Sequence, residues 1–141
     1  MSDSVYRDAA AALRRVVESR IGAVLGAGLY AVWASAVNWD AGAAVALRAG
    51  AFHWIASALL TWYGTQAMRR CFGFGATPLV RAASAFCGGM GLTYGVLVAL
   101  HGAIGTPHIA LALAAGVLPT ILFCAGYSAL LVRTSREGLS S

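Results

Sequence analysis

Residues 109–132 read IALALAAGVLPTILFCAGYSALLV, 24 consecutive residues without a charge. At 1.5 Å per helical residue such a run is about 36 Å long, enough to cross a hydrocarbon core of about 30 Å. A helix in a water-soluble bundle needs a polar face, and this stretch has none. Three further apolar runs precede it, at 21–39, 44–68 and 82–104, of which only the second holds a charge, Arg48 near its start. The predicted fold is therefore an all-α membrane protein, a bundle of four transmembrane helices built as two hairpins. The expected organisation is an amphipathic segment over 1–20, a transmembrane domain over 21–133 and a tail over 134–141.

The distribution of charge supports that reading. The 141-residue chain is 60% hydrophobic and 11% charged, against about 25% charged in an ordinary globular protein. Seven of the fifteen charged residues lie in 1–20 and three in 133–141, which leaves Asp40, Arg48, Arg69, Arg70 and Arg81 for the 112 residues between. All ten basic residues are arginine, and they flank the apolar runs. With both termini inside, Arg7, Arg14, Arg15, Arg20, Arg69, Arg70, Arg81, Arg133 and Arg136 face the cytoplasm and Arg48 alone faces out. This asymmetry predicts a bacterial inner-membrane protein with cytoplasmic ends. The net charge of +5 is then read by anionic lipid head groups, and no nucleic-acid partner is expected.

Residues 1–20 place Val5, Ala9, Leu13, Val16 and Val17 near helical period, with Ser2 or Ser4 as cap. An interfacial amphipathic helix fits that pattern. Ala34-Ser35-Ala36 has the form of a signal-cleavage site, but the polar leader is long and three more spans follow, so no cleavage is expected. Pro78 and Pro107 stand just ahead of the third and fourth spans, where proline suits a helix start. Pro119 interrupts the fourth, where a kink is expected.

Two faces stand out. Gly88, Gly91, Gly95 and Gly102 make a smooth seam in the third span, with Gly22 and Gly26 of the first as its natural partner. Small residues let helices approach closely where lipid supplies no hydrophobic drive, either within one chain or between copies. In the second span His53, Ser57, Thr61 and Gly64 recur at helical spacing with Thr65 beside them, a polar stripe that either bonds to a neighbouring helix or lines a solvated groove. A fainter pattern is an echo across the halves: Gly26-x-Gly28-Leu29 matches Gly89-x-Gly91-Leu92, and the same offset pairs Gly42 with Gly105. These residues are common enough here for coincidence to be the simpler account.

The ionisable residues gather at the outer end. Asp40 and Arg48 flank the first hairpin, His53 lies further in, and the second hairpin brings His101 and His108 to the same side. The plain expectation is that Arg48 pairs with Asp40 while the histidines sit at head-group level. The sharper one is an outward site for an anionic group such as a lipid phosphate, anchored by Arg48. His53 and His101 also come from different helices, as bis-histidine haem ligands must, but His53 reads as the deeper of the two. Cys71, Cys87 and Cys124 form no CxxC and read as small core residues. No metal and no cofactor are expected. The thirteen residues Arg69–Arg81 hold a GxG fragment without the strand or lysine of a nucleotide site, and read as a cytoplasmic turn.

The layout resembles that of small multidrug transporters, which depend on an acidic residue buried in the first span. Here the first hairpin offers only Asp40, beyond the span's outer end, so the resemblance stops at size. The function expected from the sequence is that of a non-catalytic accessory or assembly subunit, handling lipid or a lipid-linked precursor. Its partners would be the bilayer and other membrane subunits or further copies of itself. The alternatives are an oligomeric small transporter or channel subunit, for which the His53–Ser57–Thr61 stripe would line a cavity, and a membrane redox subunit carrying haem or quinone, for which the histidines would converge.

Overall fold

Capping chemistry, as much as hydrophobicity, sets the helix limits in the computed structural model, which describes residues 20–137, with side chains from 24 to 135. The amphipathic segment 1–20, the surroundings of Gly22 and the side chain of Arg136 lie outside the described residues. The elements are α1 (Arg20–Ala36), α2 (Ala43–Phe72), α3 (Pro78–Ala103) and α4 (Ile109–Glu137), with a single 3-10 turn at Trp39–Ala41. Among the described residues the chain is all-helical, without a strand. Helices α2, α3 and α4 are long and apolar enough to cross a membrane, and α1 adds the shorter apolar stretch Val24–Ala36.

Each end has a cause. Helix α1 stops at Ala36, short of the expected 39, because the Asn38 amide turns back and donates to the Ala34 carbonyl at 2.8 Å. Helix α2 passes four residues beyond the apolar run, to Phe72, since arginine is a good helix former and Arg69 and Arg70 suit a helix C-terminus. Helix α3 begins at Pro78, with Thr77 as N-cap accepting from the Val80 N–H at 3.3 Å. Helix α4 runs unbroken through Pro119 to Glu137. In the Arg69–Arg81 turn, Arg81 donates to the Gly75 carbonyl at 2.9 Å and lies 5.8 Å over the Phe72 ring, while Phe74 stands exposed.

The helices pack as a ring. Helix α2 lies against α1 and α3, α3 against α4, and α1 reaches α4, whereas α2 and α4 barely meet across the middle. The α1–α2 seam is made of the buried residues Ala27, Ala34, Ala46 and Ala49. At its tightest point a β-carbon on Gly50 would lie 2.7 Å from the Ala31 carbonyl oxygen. Two indoles add interhelical bonds, Trp54 donating to the Val24 carbonyl at 2.9 Å and Trp33 to the Leu111 carbonyl at 2.7 Å.

The glycine seam of α3 differs from the expected one. Added β-carbons at Gly91, Gly95 and Gly102, and at Gly26 of α1, would meet nothing within 4 Å inside this chain. Of the expected α3 seam only Gly88 makes a close approach, against Cys71, and Gly89 beside it makes another, where a β-carbon would sit 2.9 Å from the sulfurs of Met68 and Cys124. Gly89 thus lets Met68, Ala85 and Cys124 close into one cluster, beside a second made of Ala56, Leu97 and Leu113. The cysteines do not share a core. Cys124 is buried, Cys71 half-buried and Cys87 exposed.

The outside is apolar. Of the most apolar stretches of α3 and α4 only 17% is buried, and Leu25, Leu29, Leu118 and Leu122 are each more than 60% exposed. In water so continuous an apolar surface is a liability.

Candidate functional site

A glycine at the end of α3 organises the most polar part of the interior. Gly105 has φ +67°, a left-handed conformation that a β-carbon disfavours. It lets the Gly105 N–H bond to the Gly102 carbonyl at 3.2 Å and the Thr106 N–H to the His101 carbonyl at 2.9 Å. This is the Schellman pattern, and it folds Thr106 back over the last turn. The Thr106 hydroxyl consequently lies 2.8 Å from His101 Nδ1. On the other side of the same ring, His101 Nε2 is 2.8 Å from His53 Nδ1, across the α2–α3 contact. All three residues are buried. His53 and His101 therefore stand at one level rather than one deeper than the other, because the register between α2 and α3 aligns them.

The chain His53–His101–Thr106 has two self-consistent proton arrangements, since a neutral imidazole carries one N–H and one lone pair. In one, His53 Nδ1–H donates to His101 Nε2 and His101 Nδ1–H donates to the Thr106 oxygen. In the other, the Thr106 hydroxyl donates to His101 Nδ1, and His101 Nε2–H donates to His53 Nδ1. The remaining nitrogen, His53 Nε2, is an acceptor in the first and a donor in the second.

His108 belongs to a separate group at the surface. Its backbone N–H donates to Asn38 Oδ1 at 2.9 Å, and its Nε2 lies 3.1 Å from Asp40 Oδ2. The His108 hydrogen bond is the main cause that holds the Asp40 carboxyl below its ordinary value of 3.8. Asp40 thus pairs with His108 and not with Arg48, which is exposed and forms no ion pair among the described residues. The five residues Asp40, Arg48, His53, His101 and His108 accordingly resolve into a buried relay, a surface pair and a lone arginine.

Below the relay is a cavity of about 250 Å³. His53, Ser57, Thr61 and Gly64 of the α2 stripe line it, together with Thr93 and Tyr94 of α3, Thr120 and Phe123 of α4, and Tyr30 of α1. Thr65 faces a different groove, beside Trp62 and Gln66. The Thr61 hydroxyl donates back to the Ser57 carbonyl at 2.9 Å, so part of the stripe satisfies its own helix. The Tyr94 hydroxyl is buried and has no hydrogen-bond partner among the described residues. Among the described residues no arginine, lysine, aspartate or glutamate lines the cavity. Thr61, Pro119 and Phe123 are lining residues that are also exposed, so the space opens sideways where α2 and α4 fail to meet. At its inner end Arg69 donates to the Tyr127 hydroxyl at 2.6 Å, and Tyr127 stacks on Phe123 with ring centroids 6.0 Å apart.

Sequence reasoning singled out both histidines of the relay but gave no site role to Thr106, Asn38 or Tyr94. Thr106 was legible in principle, since a threonine directly after a helix-ending Gly105 occupies the position that a Schellman turn folds back. Asn38 is fully buried and joins the two outer turns, yet an asparagine beside a turn usually signals only the turn. Nothing local marks Tyr94.

The directly bonded imidazoles do not fit a haem between them. Metal–imidazole bonds of about 2.0–2.1 Å on opposite sides of one ion would hold the two nitrogens about 4 Å apart, and here they are 2.8 Å apart. Among the described residues no three His, Cys, Asp or Glu side chains gather as a metal site would require. The site and fold together define a helical bundle with an apolar exterior and an uncharged, laterally open interior cavity. No match was found among protein-family models, curated proteins or solved structures.

Proposed function

We propose that this chain is a multi-pass inner-membrane protein that performs no catalysis of its own and holds a lipid or lipid-linked molecule in the cavity between α2 and α4, as an accessory subunit to other membrane proteins. The observation that carries this reading is the cavity itself, roomy, open to the side and lined without a charge. For comparison, an engineered apolar cavity of about 150 Å³ is enough to bind benzene. A lateral opening in a bundle with an apolar exterior admits a guest from the bilayer rather than from water. The arginine asymmetry supports cytoplasmic termini, with the relay and the Asp40–His108 pair at the outer face.

A transporter subunit is the second reading, favoured by the same placement of His53, Ser57, Thr61 and Gly64 along a cavity wall. Native mass spectrometry from a mild detergent, with lipids retained, separates the two. The accessory reading expects a monomer carrying one co-purified lipid-like molecule, lost when Gly64→Leu fills the wall. A defined homo-oligomer without a retained lipid would replace it with the transporter reading.

A further inference from the structure

The cavity's polar atoms identify the kind of molecule it takes, on the reading that the cavity holds a guest. We infer that it is a binding site for an uncharged amphiphile with a hydroxyl or carbonyl head, whose oxygen is met by His53 Nε2 and the Tyr94 hydroxyl at the end of the His53–His101–Thr106 hydrogen-bonded chain.

Three observations converge. With no ionised side chain in its lining, the cavity offers nothing to offset the desolvation of a charged head. The wall does provide hydrogen-bonding groups. The Tyr94 hydroxyl belongs to a cavity-lining residue and has no hydrogen-bond partner among the described residues, a costly state for a buried donor and one that a guest oxygen entering the cavity would relieve. His53, whose ring lines the cavity, commits Nδ1 to His101 and has no protein partner for Nε2 among the described residues. The remainder of the lining, including Leu60, Leu97, Leu113 and Phe123, suits a hydrocarbon body.

The relay explains how one site serves both heads. When the chain of hydrogen bonds runs from His53 toward Thr106, His53 Nε2 accepts, and it suits an alcohol. When it runs from Thr106 toward His53, Nε2 donates, and it suits a carbonyl. The switch takes up one proton at His53 Nε2, passes one along each hydrogen bond of the chain and releases the original Thr106 hydroxyl proton to water, so no heavy atom moves and the chain is neutral before and after. The Thr106 hydroxyl can reverse its role because it both donates and accepts. An exchange of head-group polarity at the cavity is thereby answered at the outer end of the bundle.

The test is photolabelling of the detergent-solubilised full chain with two probes that differ only in the head: decan-1-ol and decanoate at pH 9, each with a mid-chain diazirine, the labelled positions being read by peptide mass spectrometry. The alcohol is expected to label cavity-lining peptides around Leu97 and Phe123, and excess unlabelled decan-1-ol or decan-2-one to compete. Decanoate is expected to label only the apolar exterior. Tyr94→Phe removes a hydroxyl that has no partner in the empty protein, so its melting temperature should match or exceed that of the wild type. Its cavity labelling should nevertheless fall about two- to ten-fold, the worth of one lost hydrogen bond. His53→Leu should lose labelling similarly, and His53→Gln, which keeps both a donor and an acceptor, should recover part of it. Cavity labelling that is unchanged in both Tyr94→Phe and His53→Leu would overturn the proposal. Equal cavity labelling by decanoate would overturn the uncharged-head assignment and leave the guest-holding reading intact. Absence of cavity labelling by either probe would overturn both.

Discussion

Asn38 is the residue that ties the α1–α2 turn to the α3–α4 turn. Its amide serves the Ala34 carbonyl of its own helix, and its oxygen serves His108 of the other hairpin, while the side chain is wholly buried. Asn38→Ala leaves a carbonyl and an N–H without these partners, so it should cost about 1–3 kcal/mol, read as an earlier unfolding transition in detergent. Asn38→Asp keeps the acceptor for His108 but sets a carboxylate against the Ala34 carbonyl in a wholly buried place, so it should cost at least as much as Asn38→Ala at neutral pH. The neighbouring Asp40 gives a pH signature. Its folded value lies below the ordinary 3.8 through the His108 bond, and a group so lowered adds stability that is whole above the unfolded value and lost as pH falls through the folded one. The wild type should therefore hold a constant advantage over Asp40→Asn from pH 7 to pH 5, and lose it only below about pH 3.8. An advantage already lost at pH 5 would overturn this assignment. The residue is exposed, so the effect is small.

At the scale of elements, helix–helix fit separates glycines that look alike in sequence. Gly89→Leu drives a side chain into Met68 and Cys124 and should cost about 1–3 kcal/mol or more. Gly91→Leu points into open space and should leave the melting curve within about 0.5 kcal/mol of wild type. A loss at Gly91 equal to that at Gly89 would mean that a second copy covers this face. The number of helices and their approximate limits were legible, because long uncharged runs bounded by arginine, with Thr77-Pro78 at one start, have few alternative readings. Which glycines touch was not legible. Helical period names a face, but rotation about each helix axis decides what meets it: of the expected α3 seam only Gly88 faces a neighbouring helix, and Gly89, which lies outside that seam, faces one too. The same limit hid the histidine contact. His53 and His101 are 48 residues apart, and only the register of α2 on α3 brings their nitrogens together. Arg48 misled for the opposite reason. Its closeness to Asp40 in sequence suggested a pair, but the turn at Gly42, with φ +99°, intervenes, and the Asp40 carboxylate meets the second hairpin.

For the molecule as a whole, the proposed orientation has a direct check. With Cys71, Cys87 and Cys124 replaced by Ala, an impermeant maleimide applied to cells with a permeabilised outer envelope should label an Arg48→Cys variant and spare an Arg70→Cys variant until the inner membrane is opened. The reverse pattern would invert the topology. The hydrogen bond between Asn38 and His108 also bears on how such a chain is made. Synthesis delivers the hairpin of α1 and α2 first, with Asn38 Oδ1 still lacking the N–H it will accept from, and the α3–α4 hairpin brings that N–H only when its own turn is complete. On the proposed membrane reading that bond requires both hairpins to have reached the same depth on the same side. It acts as a latch, so that a misinserted second half would be left with an open seam, the kind of defect that membrane quality-control proteases can find.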